Sequence, residues 1–187
     1  MLDVNFSPFP VLTTERLSLR QIDFSDAEDL FRLRSDERVM RYIDRPIAKT
    51  VEDSMELIGR ISGDLVANNG ITWVITLRDD NRLIGTIGHW KLMKEHYRAE
   101  VGYLLDPRHQ GKGIMREALA KILDYGFKEL KLHSVEANVN PANSGSIRLL
   151  EGLRFRKEAH FRENYYYNGK FMDSLVYSLL HSEVGPQ

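Results

Sequence analysis

The stretch VGYLLDPRHQGKGIMREAL, residues 101–119, decides how this chain is read. VGYLL is a strand-forming run, and Asp106-Pro107 ends it. Gly111 and Gly113 then flank Lys112, and a helical pattern starts at once. Two glycines with Arg108, His109 and Lys112, placed where a strand hands over to a helix, have two readings. One is a loop closed by a glycine cap. The other is a cradle for a phosphate. A helix N-terminus offers unpaired amides and about half a positive charge, and both stabilise an anion. Glycine lets the backbone approach a bulky phosphate because no Cβ intervenes.

Two familiar phosphate loops fail here. A P-loop needs glycine five residues before the Gly-Lys pair, and Asp106 stands there. The dinucleotide fingerprint needs a third glycine at the position of Arg116. What remains is R-x-x-G-x-G, from Arg108 to Gly113.

Outward from this loop the chain alternates strand and helix patterns. RLSLRQI (residues 16–22) reads as a strand. A helix is expected over 26–35, with Ser25 and Glu28 as a capping box. Met55, Ile58, Ile61 and Leu65 recur at three or four and predict a helix from 51 to about 68. Three strands follow at 71–77, 82–90 and 97–105, the middle one weakened by Gly85 and Gly88, which suggest a bulge. After the helix at 113–130 come a strand at 133–139, a helix in NPANSGSIRLLEGL, and a hairpin turning at Asn168-Gly169. The expected class is α+β: a mixed, mostly antiparallel twisted sheet of about seven strands flanked by about four helices.

Composition narrows the function. The 187 residues fit one domain (core about 13–180), and 42% hydrophobic content supports a proper core. A net charge of −1 argues against a nucleic-acid or anionic-membrane binder. Without cysteine there is no disulfide, thiolate metal site or cysteine nucleophile. The histidines form no HExxH pair, so no metal is expected. The start MLDVNFSPFP has no signal-peptide pattern, and ITWVITL is far shorter than the roughly 20 residues that span a bilayer. The expectation is a cytoplasmic protein.

The loop, with its strand and helix, resembles the coenzyme-A pyrophosphate loop of the GNAT superfamily of N-acetyltransferases. VEANVNPANSGSIRLLEGLRF is similar to that family's next strand and helix. LTTERLSLRQ and YNGKFMDSLVYSLL resemble the branch of ribosomal-protein N-terminal (RimJ/RimL-type) acetyltransferases. The resemblance runs from about Thr13 to Leu180.

It implies acetyl transfer from acetyl-CoA to a primary amine, with a GNAT-like fold and no metal. The family's pattern implies that Glu100 serves as base. Backbone near Leu104 and Leu105 would meet the pantetheine arm. The loop, with Arg108, Gln110, Gly111, Lys112, Gly113 and Ile114, would hold the pyrophosphate. Asn143 and Ser146 would face the coenzyme, and both suit helix capping as well. Glu100 has the alternative of a cross-strand ion pair with Arg98 or a neighbour. Tyr42, Trp90 and Tyr166 are candidate walls for the acceptor.

Two positions depart from the family pattern. Leu150 stands where many members carry a tyrosine acid, leaving Ser146 as a substitute. Arg154 replaces the glycine of a Leu-Gly-Phe helix end, so a positive φ there would bring strain. The implied acceptor is a protein α-amine, as on a ribosomal protein. The alternatives are a polyamine or aminoglycoside acceptor, or a catalytically silent coenzyme-A sensor. A homodimer is an expectation from the family alone.

Overall fold

The computed structural model describes residues 1–184. Its strands are β1 (Leu12–Thr13), β2 (Leu17–Gln21), β3 (Ile71–Leu77), β4 (Asp80–Met93), β5 (Arg98–Leu105), β6 (Ser134–Val139), β7 (Arg156–Tyr167) and β8 (Lys170–Leu180). Its helices are α1 (Ala27–Arg34), α2 (Glu37–Met40), α3 (Val51–Val66), α4 (Ile114–Lys128) and α5 (Ser144–Gly152). One sheet runs in the order β1-β2-β3-β4-β5-β6-β8-β7. Only β5 and β6 pair in parallel; every other neighbour is antiparallel.

The sheet has eight strands where about seven were expected, and there are five helices rather than four. The additions are β1, a two-residue strand, and α2, a single turn capped by the Asp36 side chain on the Arg38 amide. Neither is long enough to carry a hydrophobic period. The start of α1 also differs from its expected capping box. Asp23 accepts from the Ser25 amide and opens a 3-10 turn, Phe24–Asp26, that leads into the helix. Asp26 is almost fully buried because the Arg20 guanidinium grips it with two bonds, at 2.7 and 2.8 Å. Burying a carboxylate is tolerable only with such a partner.

Both faces of the sheet are covered. On one side α1 and α3 pack Leu30, Leu33 and Ile58 against Val74 and Leu83. On the other, α4 sets Ala118, Leu119, Ile122 and Phe127 against Trp73, Ile87 and Ala99. The N-terminal arm crosses this second face, burying Leu2 and Phe6, and the Pro10 carbonyl accepts from the Trp73 indole at 2.8 Å.

The glycines of β4 serve close approach, and Gly85 also borders a register shift against β3, between Ile75 and Leu77. A Cβ on Gly88 would lie 2.3 Å from the Ile71 carbonyl oxygen, and one on Gly85 would lie 2.6 Å from that of Leu104. A further bulge, against β5, falls just beyond Gly88. His89 faces Val101 and Lys91 faces Glu100, leaving Trp90 as the extra residue. Its indole turns over Gly102, where a Cβ would meet the ring at 3.1 Å.

α5 ends in a Schellman turn. The Phe155 amide bonds the Leu150 carbonyl, and the Arg154 amide bonds that of Glu151. Arg154 takes φ +69, the left-handed conformation that a glycine would adopt freely. This costs a non-glycine residue about 1–2 kcal/mol. Glycine in turn costs about 0.4–1 kcal/mol through the unfolded chain. Arg154 is exposed and no side-chain bond holds it. Arg154→Gly is therefore expected to stabilise by roughly 0.5–1 kcal/mol, raising Tm by about 2–3 °C in a thermal melt. A lower Tm would refute the strain.

Candidate active site

β5 and β6 pair only over three residues each, Arg98 to Glu100 against Ser134 to Glu136. Beyond Glu100 they part. β5 stays with β4 through Leu105, and β6 stays with β8 through Val139. The edge of β5 that faced β6 is thus left without a strand partner along residues 101–105. Such an edge presents amides and carbonyls that need partners.

The gap opens into two connected clefts. One, of about 540 Å³, faces α1 and α3 and is lined by Trp90, Glu100, Gly102, Asn138 and Asn140 among others. The other, of about 520 Å³, faces the glycine loop and α5, with Gln110, Gly111, Gly113, Ile114 and Gly145 in its wall. Tyr42, Ile43, Tyr103, Leu104, Asn143 and Ser146 line both. Glu100 lines the α3-side cleft, which meets the loop-side cleft at these six shared residues.

The glycine loop has the geometry of an anion cradle. Gly111 and Gly113 adopt φ +71 and +76, and Gly113 opens α4 with no side-chain cap. Among the described residues, no protein acceptor takes a well-formed hydrogen bond from the amides of residues 111–114. Gly111, Gly113 and Ile114 line the loop-side cleft, at the positive end of the α4 dipole. Arg16 fixes the loop from behind. Its Nη1 donates to the Lys112 carbonyl at 3.0 Å, and its Nε donates to Glu117 at 2.7 Å. Thr14 and the Arg16 amide also donate to Glu117, which is held below its usual pKa by these bonds against the opposing effect of burial. Nothing in the local sequence marked Arg16, because its partners lie about a hundred residues away.

Arg108 and Lys112 do not line either cleft. Arg108 folds back on Asp106, donating from its amide, Nε and Nη2. Arg32 joins from α1 at 2.5 Å. Arg108's hydrogen bonds, with those of Arg32, hold the buried Asp106 well below the usual carboxylate range. This ion cluster shapes the turn after β5. Gln110 does face the loop-side cleft, and its amide donates to the Leu105 carbonyl at 3.2 Å.

Glu100 is half-buried in the α3-side cleft and makes no ion pair. Arg98 pairs with Glu136 instead, at 2.5 Å. Asn138 donates to Glu100 Oε1 at 3.0 Å. Burial raises the Glu100 pKa and nearby Glu136 adds to this, while Asn138, Lys91 and Arg45 oppose it. A half-desolvated carboxylate with a raised pKa at a cleft mouth has the properties of a general base.

Asn143 caps α5, its side chain accepting from the Ser146 amide at 3.1 Å. Both residues line the two clefts, so the cap does not take them away from the site. Ser146 Oγ lies 2.6 Å from the Tyr103 hydroxyl. Burial pushes the Tyr103 phenol up to about 12. Tyr103 went unnoticed in the sequence because VGYLL reads as ordinary strand. Leu150, at the family's tyrosine position, is wholly buried in the core.

Of the proposed acceptor walls, Tyr42 and Trp90 line the α3-side cleft. Tyr166 lies outside both clefts, exposed and packed edge-on against Phe171. Register explains this: neighbours on a strand point to opposite faces. It is Tyr165 whose hydroxyl reaches the cleft wall, donating to Asp44 at 2.5 Å.

The sequence of residues 16–156 matches the family described as acetyltransferase (GNAT) domain. The chain is 39% identical over 172 residues to the uncharacterized N-acetyltransferase YoaA of Bacillus subtilis, covering 92% of this chain and 97% of that protein. It is 27% identical over 168 residues to the spermidine N(1)-acetyltransferase of Vibrio cholerae, covering 90% and 95%. The ribosomal-protein-S5-alanine acetyltransferase of Vibrio fischeri superposes with a TM-score of 0.82 at 26% identity, over 95% of this chain and all of that one. An unpartnered strand edge, a glycine loop with free amides and a half-buried glutamate thus sit in a chain that belongs to the GNAT family of acetyl-CoA-dependent N-acetyltransferases.

Proposed function

We propose that the protein acetylates the α-amine of a polypeptide N-terminus, the amine entering from the α3-side cleft and attacking the thioester directly. The observation that carries this reading is Glu100: half-buried, free of any ion pair and held by Asn138 where β5 and β6 part. An α-amine of pKa about 7.7–8 is roughly a tenth or more neutral at pH 7, so freeing it costs about 1 kcal/mol. A lysine or polyamine near 10.4 costs about 4–5 kcal/mol. A single carboxylate with a pKa raised by burial is matched to the first task.

Acetyl-CoA supplies an already activated acyl group, so holding the partners together accounts for much of the acceleration. In this reading the amides of residues 111–114 hold the pyrophosphate, and the free edge of β5 near Leu104 and Leu105 takes the pantetheine arm in place of a strand. An amide of that edge faces the carbonyl oxygen as it gains charge. Glu100 accepts the proton leaving the amine, directly or through a water.

The departing sulfur needs less help than the missing tyrosine suggests. With its pKa near 12, Tyr103 is a far weaker acid than a thiol near 8.5. Full transfer from Tyr103 would be uphill by roughly 3–4 pKa units, about 5 kcal/mol. The 2.6 Å contact between the two hydroxyls allows either to donate; in this reading Tyr103 donates to Ser146, and the Ser146 hydroxyl donates to the sulfur.

Three measurements test this. Glu100→Gln is expected to lower kcat/KM for a peptide α-amine about tenfold at pH 7, the deficit shrinking above pH 8 as the amine loses its own proton. The limb set by the raised Glu100 pKa should vanish from the pH profile; an unchanged profile removes Glu100 from the mechanism. Tyr103→Phe is expected to reduce kcat roughly tenfold and to leave the basic side of the profile intact below pH 10. Losing a basic limb would instead make Tyr103 the acid. Arg16→Ala is expected to raise KM for acetyl-CoA several-fold with little change in kcat, read by thiol release; an equal fall in kcat would mean the loop is not what Arg16 holds.

A further inference from the structure

The α3-side cleft holds three arginines: Arg34 from the end of α1, Arg45 from the loop after α2, and Arg60 from α3. Elsewhere Arg16, Arg20, Arg32, Arg38, Arg98 and Arg108 each grip a carboxylate. These three do not. Among the described residues none of them forms an ion pair, and the one polar contact of their guanidinium groups is Arg45 Nη1 donating to the neighbouring Asp44 carbonyl. Arg34 is half-buried; burial, then the charges of Arg45 and Arg60, lower its pKa. Three like charges thus share one wall at a cost that an incoming anion would relieve.

Three carboxylates also line this cleft. Asp44 accepts the Tyr165 hydroxyl, Glu100 accepts the Asn138 amide, and Asp64 sits one turn beyond Arg60 on α3, exposed to solvent. None is drawn into a pair with the arginines. The cleft therefore carries both signs of charge, with Glu100 where β5 and β6 part, Asp44 beside Arg45, Asp64 one turn beyond Arg60, and the arginines on α1, α3 and the loop after α2. A ligand that fits both carries an amine and an anion.

We propose that the acceptor of this transferase is an α-amine whose carrier bears a carboxylate within the next residues, and that Arg34, Arg45 and Arg60 hold that carboxylate. The carrier is a polypeptide N-terminus with acidic residues close behind it. This rests on the assignment of the α3-side cleft to the acceptor. A polycation such as spermidine would set its second ammonium against the same arginines.

The test compares short C-terminally amidated peptides in pairs, Ser-Asp-Glu against Ser-Asn-Gln at the N-terminus, with free aspartate and spermidine alongside. Thiol release gives kcat/KM, and calorimetry gives binding to the full chain in the presence of coenzyme A. The wild type is expected to favour the acidic peptide at least tenfold in both readouts, with free aspartate well below the peptide. Arg60→Gln is expected to bring the acidic-to-neutral ratio close to one, and Arg60→Lys to recover most of it. Arg60 is an exposed helix residue, so this pair of variants should fold; Arg45→Gln is the second probe. Equal affinity for both peptides, or a preference for spermidine, would overturn the anion subsite while leaving the transferase standing. Preferred binding of free aspartate would place the amine and carboxylate on one small molecule and overturn the polypeptide carrier. Absence of thiol release with every amine would sink the transferase reading, and the calorimetric ratio would still decide the anion subsite.

Discussion

Three residues of parallel pairing hold β5 to β6, and the site exists because the pairing stops there. β6 leaves β5 after Glu136 while staying on β8 through Val139, so Val101 to Leu105 lack a strand on that edge and remain locked to β4. A strand that is rigid on one edge and empty on the other is an anchoring surface for an extended ligand. The bulge at Trp90 lies directly across from the last paired residues, and a bulge bends its strand and increases the local twist. Gly102 leaves room for the displaced indole. Bulge, glycine and splay form one device, and the two clefts are its consequence.

The remaining features serve to keep that opening in place. Asp106, buried just after β5, is stabilised by Arg108 and Arg32, which ties the strand end to α1. Glu117 ties α4 back to Thr14 and Arg16, and Arg16 reaches the loop carbonyl of Lys112. Arg108, which looked like a ligand contact in the linear sequence, pairs with Asp106. The loop amides belong to a helix end without a side-chain cap. This division suits backbone recognition, where geometry rather than side-chain charge fixes the bound group.

Much of the scaffold was legible because its signals are local. The 3.6-residue period of α3, the strand runs around residues 71–105 and the Asn168-Gly169 turn each need only neighbouring residues to be recognised. The glycine loop was legible for the same reason, as was the strain at Arg154, whose φ is +69. Elements of two to four residues escaped, since one turn or one bridge carries no period. Asp23 rather than Ser25 caps the turn before α1, a choice made by the grip of Arg20 on Asp26 from a neighbouring strand.

The sequence by itself determined the element order, the class of sheet, the loop that can cradle an anion and the carboxylate at position 100. Those properties follow from backbone preferences and short spacings. Only the tertiary structure decided that Arg98 turns to Glu136 and leaves Glu100 unpaired, that Tyr103 meets Ser146, that Tyr165 rather than Tyr166 reaches the cleft, and that three arginines from separate elements share one wall. Each of these depends on which strand edges and helix ends are brought together across tens of residues, and no local pattern encodes a partner that distant.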